Sequence, residues 1–103
     1  LRGMAHITGG GITENTPRML PKGAQAVIVK GTWDIHPLFS LIQDKAGVDD
    51  HEMYRDFNMG IGMIMAVPAK QADAVMKRAK KLGERAYLIG EIAKGKQVVK
   101  YKE

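Results

Sequence analysis

The chain has 103 residues, enough for one domain whose folding hides roughly 60 to 70% of the unfolded surface, and too few for a second. Hydrophobic residues at 45% and charged residues at 26% are ordinary globular values, and no apolar run approaches the ~20 residues of a membrane-spanning helix. The absence of cysteine excludes disulfides and thiolate metal sites, while 16 Lys and Arg against 11 Asp and Glu give a net charge of +5.

Such a charge suits an anionic partner, but its distribution argues against nucleic acid. Much of it sits in Lys70, Lys77, Arg78, Lys80 and Lys81 and in the tail Lys94, Lys96, Lys100 and Lys102, on the expected solvent faces of a helix and a hairpin. No aromatic platform is interleaved, so a solvated surface is expected, with neither a nucleic-acid nor a membrane partner. The start carries no charged leader ahead of an apolar stretch, and a cytoplasmic protein is expected. Opening at Leu1, inside an apparent strand, suggests a piece of something longer.

In chain order, "GMAHIT" at 3–8 and the β-branched "AQAVIV" at 24–29 read as strands, with a short helical turn near Gly11 or Ile12 between them. Pro17 disfavours helical geometry at Thr16 and limits that turn to about six residues. Asp34 and Pro37 start a helix over 36–46, with Leu38, Leu41 and Ile42 at helical spacing and Gly47 as the stop. Asp49 followed by Glu52 resembles a capping box, so "DDHEMYRDF" predicts a second, shorter helix. The run from Ile61 to Val67 is apolar on both faces, as in a strand covered on both sides or lying beside close-packed backbone, and Pro68 ends it. Ala72, Val75, Met76, Ala79 and Leu82 make one stripe of a helix over 69–82, stopped by Gly83. Two strands, 86–93 and 97–101, close the chain, with "KGK" read as a hairpin turn.

This order predicts an α/β (α+β) fold: a mixed sheet with helices packed mainly on one face, in the manner of a ferredoxin-like or related split arrangement. It contains no internal repeat and no low-complexity linker.

Two clusters stand out chemically. Gly9, Gly10 and Gly11 lie between a strand and a helix start, and glycine there serves either a tight turn or a ligand. A glycine loop entering a helix exposes backbone N–H groups that hold an anion without a basic side chain. The pattern is neither the Walker loop nor the dinucleotide fingerprint. His6, Thr8, Glu14 and Asn15 nevertheless place four polar side chains around the turn, and Arg18 follows within reach of a bound anion. A lone strand histidine is also commonly a hydrogen-bonded structural one, so both roles stay open for His6.

The second cluster is "FNMGIGM" at 57–63, where Asn58 offers an amide and Gly60 and Gly62 permit close approach of a ligand or of a second backbone. Glu52 and Arg55 can pair at i, i+3 on one helix face. No serine nucleophile with a base and no carboxylates at metal spacing are present. His36 belongs to a helix entry, His51 to a first turn, and Trp33 reads as a core anchor.

Taken together, "GMAHITGGGITENTPRMLP", a following Trp and "EMYRDFNMGIGM" resemble the C-terminal part of the aminoimidazole ribonucleotide synthetase family over nearly the whole chain. Asp56 stands where that family more often has threonine. The resemblance implies a ligase of de novo purine biosynthesis that uses ATP and magnesium to close the imidazole ring of formylglycinamidine ribonucleotide, activating an amide oxygen by phosphoryl transfer. It implies that residues 1–103 are a partial C-terminal domain, and that ATP and metal are held mainly by an N-terminal domain absent from this sequence, which also makes most of a homodimer contact. By motif, His6, Thr8, Gly9, Gly10, Gly11, Asn15 and Arg18 fall on one cleft-facing loop and Asn58, Gly60 and Gly62 on another, as substrate-binding residues. Catalytic and metal-ligating residues are expected elsewhere. The family has further strand and helix segments before the first motif, so this piece alone is expected to bare apolar sheet surface and to be inactive. A free-standing ligand-binding or regulatory module of similar fold is the alternative.

Overall fold

A computed structural model describes residues 2–103. Strand β1 (Gly3–His6) pairs antiparallel with β3 (Met63–Ala66), placing Ala5 opposite Ile64 and His6 opposite Met63. A separate three-stranded sheet is built on β2 (Ala24–Val29), flanked by β4 (Gly90–Lys94) and β5 (Val99–Lys102) in the order β4-β2-β5. The mixed α/β character is as expected, but the strands form two sheets rather than one. The expected strand 3–8 stops at His6, that over 61–67 shortens to β3, and that over 86–93 starts only at Gly90.

The expected hairpin is not one. β4 runs antiparallel to β2 and β5 runs parallel to it on the other edge, so β4 and β5 never pair with each other. The physical reason lies in the connecting segment, whose donors go to the start of β2 instead of closing on themselves. Gly95 N–H donates to Gly23 O at 3.0 Å, Gln97 N–H to Ala24 O at 2.7 Å, and the Gln97 side chain to Leu20 O at 2.8 Å. The chain thus wraps around one end of β2, with Gln97 in the left-handed region at φ 58°. Both edges of that apolar strand are satisfied, which a simple hairpin would not achieve.

The helices follow their punctuation, except that His36 and not Asp34 caps α2, because its ring nitrogen is the one that reaches the first free N–H. In α2 (Pro37–Ala46) His36 Nδ1 accepts from Leu38 N–H at 3.0 Å, and Val48 N–H closes on Gln43 O at 3.2 Å past Gly47, whose φ is 66°. In α3 (Asp50–Asp56) the Asp49 carboxylate accepts from Glu52 N–H at 2.9 Å, the cap expected from the sequence. A 3₁₀ turn, Ala69–Gln71, leads into α4 (Ala72–Lys81), which ends in a Schellman pair: Glu84 N–H to Ala79 O and Gly83 N–H to Lys80 O, both 3.0 Å. Neither α2 nor α4 buries a whole residue, and Leu82 of the expected stripe is 71% exposed.

The core forms instead around the short elements. Helix α1 (Gly11–Asn15), continued by a 3₁₀ turn over Thr16–Met19, sets Ile12 against Met53 and Tyr54 of α3. The same cluster takes in Ala5 of β1 and Ile7 just after it, Ile64 of β3, Ile28 of β2 and Trp33. Only the inner face of the β1–β3 ribbon joins this core. Its outer face carries Met4, Met63 and Met65, each about half exposed.

Candidate functional site

The glycine turn takes its shape from its own hydrogen bonds. Gly11 N–H donates to Thr8 O at 2.9 Å, and Gly10 and Gly11 both lie in the left-handed region, at φ 98° and 62°. Asn15 is buried, and its side-chain NH₂ spans the turn, donating to Thr8 O at 3.2 Å, Gly9 O at 3.1 Å and Gly11 O at 2.9 Å. Three converging carbonyls are thus tied together by one amide. Thr16 beside it is fully buried, and its hydroxyl finds no partner among the described residues.

The three glycines do different work. A Cβ on Gly11 would run into Tyr54 O and sit 2.6 Å from Phe57 O, so Gly11 is what lets α1 close on the end of α3. A Cβ on Gly10 would meet Glu14 Cβ at 2.8 Å. One on Gly9 would meet nothing within 4 Å. Gly11 is buried with its N–H consumed, whereas the Gly9 and Gly10 amides, at the more open part of the turn, find no acceptor among the described residues.

The second loop lies alongside the first. Ile7 N–H donates to Gly62 O at 2.9 Å, which brings the residues just before the glycine turn against the end of the 57–62 segment. Within that segment Asn58 Oδ1 accepts from Gly60 N–H at 2.8 Å, and Ile61 N–H returns to Asn58 O at 3.0 Å. Met59 and Gly60, at φ 53° and 91°, supply the two left-handed residues of this tight turn. Left-handed methionine costs roughly 1 kcal/mol or more. It is held there because its side chain is buried and its carbonyl accepts the Trp33 indole N–H at 3.0 Å. Trp33 is the expected core anchor and also what fixes this loop.

Of the remaining residues singled out from sequence, His6 projects from the exposed face of β1 opposite Met63, and the Thr8 side chain is exposed. Arg18 is exposed in the 3₁₀ turn and has no ion-pair partner among the described residues. The Glu52–Arg55 pair forms at 3.4 Å, and Arg55 also reaches Glu14 at 3.6 Å. Because a Cβ on Gly10 would stand 3.1 Å from Glu14 Oε2, a carboxylate sits beside the turn, with Arg55 as its counter-charge. Among the described residues no three His, Asp or Glu side chains converge to hold a metal ion.

A further cluster was not legible in the sequence. Thr13 Oγ1–H donates to Tyr54 O at 3.2 Å and stands 2.7 Å from the Tyr101 hydroxyl. The Tyr54 and Tyr101 rings lie 4.8 Å apart, with Lys30 Nζ over them at 5.1 and 5.7 Å. Lys30 also pairs with Asp50 at 3.8 Å and Glu103 at 3.5 Å. Burial pushes the Tyr101 phenol up to about 12; the bond with Thr13 pulls the other way and the Tyr54 charge adds to the rise. Tyr54 is also raised, by burial first and then by Asp50 and Glu103. Positions 13, 30, 54 and 101 share no local period, so only folding assembles them.

Fold and turns together define a mixed α/β domain carrying two adjoining glycine-bearing loops at the open end of a strand ribbon. The chain belongs to the family described as AIR synthase related protein, C-terminal domain, which matches residues 1–102. It is 52% identical over 98 residues to a phosphoribosylformylglycinamidine cyclo-ligase of Geobacillus sp. (strain WCH70), covering 95% of this chain and 28% of that protein. The enzyme of the same name from Bacillus cytotoxicus is 54% identical over 96 residues, covering 93% and 28%. That from Brevibacillus brevis is 48% identical over 101 residues, covering 98% and 29%. The chain therefore spans less than a third of the length of these relatives.

Proposed function

We propose that this chain is the C-terminal, substrate-binding part of a cytoplasmic ATP-dependent cyclo-ligase that closes the imidazole ring of formylglycinamidine ribonucleotide in purine biosynthesis. The observation that carries the reading is identity near one half to enzymes of that name across nearly the whole chain, the two glycine loops included. On the strength of the family resemblance, ATP and magnesium are assigned to the remainder of a longer, homodimeric protein. The bare methionine face of the β1–β3 ribbon also supports a larger assembly, because such a surface is ordinarily covered.

Within this reading the unspent Gly9 and Gly10 amides take an anionic group of the substrate, with His6, Thr8, Arg18 and Asn58 around them. Backbone donors suit this task because they are fixed before the ligand arrives and lose little freedom on binding it. Arg55, by neutralising Glu14, lowers the repulsion an incoming anion meets at Gly10. Asn15 and Gly11 serve the shape of the loop, Gly60 supplies a left-handed residue of the second turn, and Gly62 leaves open space beside it.

The test is a chimera in which this segment replaces the corresponding stretch of the Bacillus cytotoxicus enzyme. Ring closure with release of ADP and phosphate is expected from the chimera and none from the 103-residue chain alone. A folded chimera that binds ATP yet turns over nothing would overturn the assignment and favour a free-standing binding module.

A further inference from the structure

Helix α1 is only five residues long, too short to hold itself or the turn before it in one place. What fixes it comes from outside. Tyr54 O stands against Gly11 on one side and accepts the Thr13 hydroxyl on the other, so one carbonyl of α3 meets α1 at two points. A hydroxyl has one proton, and Thr13 spends its own on Tyr54 O. The 2.7 Å contact with Tyr101 therefore has Tyr101 O–H donating and Thr13 Oγ1 accepting. The donor comes from the last strand, 88 positions further along the chain.

We propose that Tyr101 is a positioning residue for the glycine turn: its hydroxyl, acting through Thr13, sets the placement of α1 and hence of the Gly9 and Gly10 amides. Two further contacts make the tyrosine a fixed reference. Its ring packs at 4.8 Å on Tyr54, and Lys30 Nζ, held by Asp50 and Glu103, caps both rings. β5 is in turn locked into the sheet by its parallel register with β2, Ile28 opposite Tyr101. The core of the domain thus reaches the turn through this short hydroxyl chain as well as through the packing of Ile12 on Met53 and the Arg55–Glu14 pair. Nothing in this chain of contacts touches the ligand side of the turn, so the role is to position and not to bind. The proposal rests on the reading of the turn as a binding loop.

Tyr101→Phe removes the donor and keeps the ring. Loss of one neutral hydrogen bond corresponds to about a fivefold weakening. In the chimera, Tyr101→Phe is expected to raise the KM for the ribonucleotide about fivefold with kcat nearly unchanged. Thr13→Val should do the same, Thr13→Ser should restore the parent KM, and the double variant Thr13→Val with Tyr101→Phe should be little worse than Thr13→Val alone. In the 103-residue chain, hydrogen exchange should quicken at the bonded amides of Gly11 and Glu14 ahead of those of β2.

A purely structural tyrosine would instead speed exchange at all core amides together and lower kcat with the fraction folded, leaving KM alone; that result overturns the proposal. Gly9→Ala in the same chimera separates the two layers. If Gly9→Ala raises KM and Tyr101→Phe does not, the positioning role is wrong and the binding loop stands. If Gly9→Ala leaves KM unchanged, the binding-loop reading fails and the positioning role falls with it.

Discussion

Placing a methyl group on each end of the glycine triplet should give opposite outcomes. At position 11 the alanine must adopt φ near 62°, which costs an L-residue about 1 kcal/mol or more. Its Cβ also overlaps Tyr54 O and Phe57 O, backbone atoms of the neighbouring helix end that have no rotamer to move into. Overpacking of this kind typically adds about 1 to 3 kcal/mol. The sum is about 3 kcal/mol, and at roughly 4 to 8 °C per kcal/mol for a domain of this size the melting temperature should fall by about 12 to 24 °C. At position 9 no atom lies within 4 Å of the added methyl and the backbone is not left-handed, so stability should change by no more than about 0.5 kcal/mol. Thermal unfolding of the chain and of Gly11→Ala and Gly9→Ala, followed by circular dichroism, measures both. A Gly11→Ala melt within a few degrees of the parent, or a Gly9→Ala melt depressed as far as that of Gly11→Ala, would refute the close-approach account of this turn.

Two other outcomes follow from buried polar groups. Asn15→Asp sets a carboxyl group against three carbonyl oxygens in a buried position, so its charged form is strongly disfavoured and its folded pKa rises above the unfolded value near 4. The variant should be most stable below about pH 4 and lose stability as the pH climbs, the reverse of ordinary carboxylate behaviour, as urea titrations at stepped pH would show. A stability independent of pH between 4 and 7 in that variant would mean Asn15 does not face those carbonyls. For the parent chain, Tyr101 carries a folded pKa of about 12 against an ordinary 10, and Tyr54 is raised as well. Their contribution is complete below pH 10 and should drain away as the pH rises toward 12, visible as tyrosinate absorbance appearing together with loss of structure. Tyr101→Phe should make that alkaline decline shallower; an unchanged decline would place its cause elsewhere.

Much of the local structure was legible because it is written in neighbouring residues. Asp49 caps α3, His36 and Pro37 open α2, and Gly47 and Gly83 close their helices, each within a few positions of the group it satisfies. The strand core of β2 and the glycine turn after β1 were equally local. The hairpin was misread because "KGK" advertises a reversal but does not say what the reversal encloses; Gly95 and Gln97 spend their N–H groups on residues 23 and 24, more than seventy positions away. Periodicity likewise marked the stripe of α4, yet an apolar stripe declares only that a surface is available, and this one buries no residue.

At the site, sequence by itself determined that glycines and polar groups gather at two loops, and that these loops belong to the AIR synthase related family. Which of those groups are free to meet a ligand was decided only by tertiary structure. Gly11 and Asn15 carry the same motif signal as Gly9, but α3 packs against the first and three converging carbonyls consume the second. The linkage of Thr13, Tyr54 and Tyr101 belongs wholly to that level. A hydrogen bond between residues 88 apart exists only after the sheet carrying β5 has closed against α1 and α3, and no spacing along the chain can encode the few tenths of an ångström on which it depends.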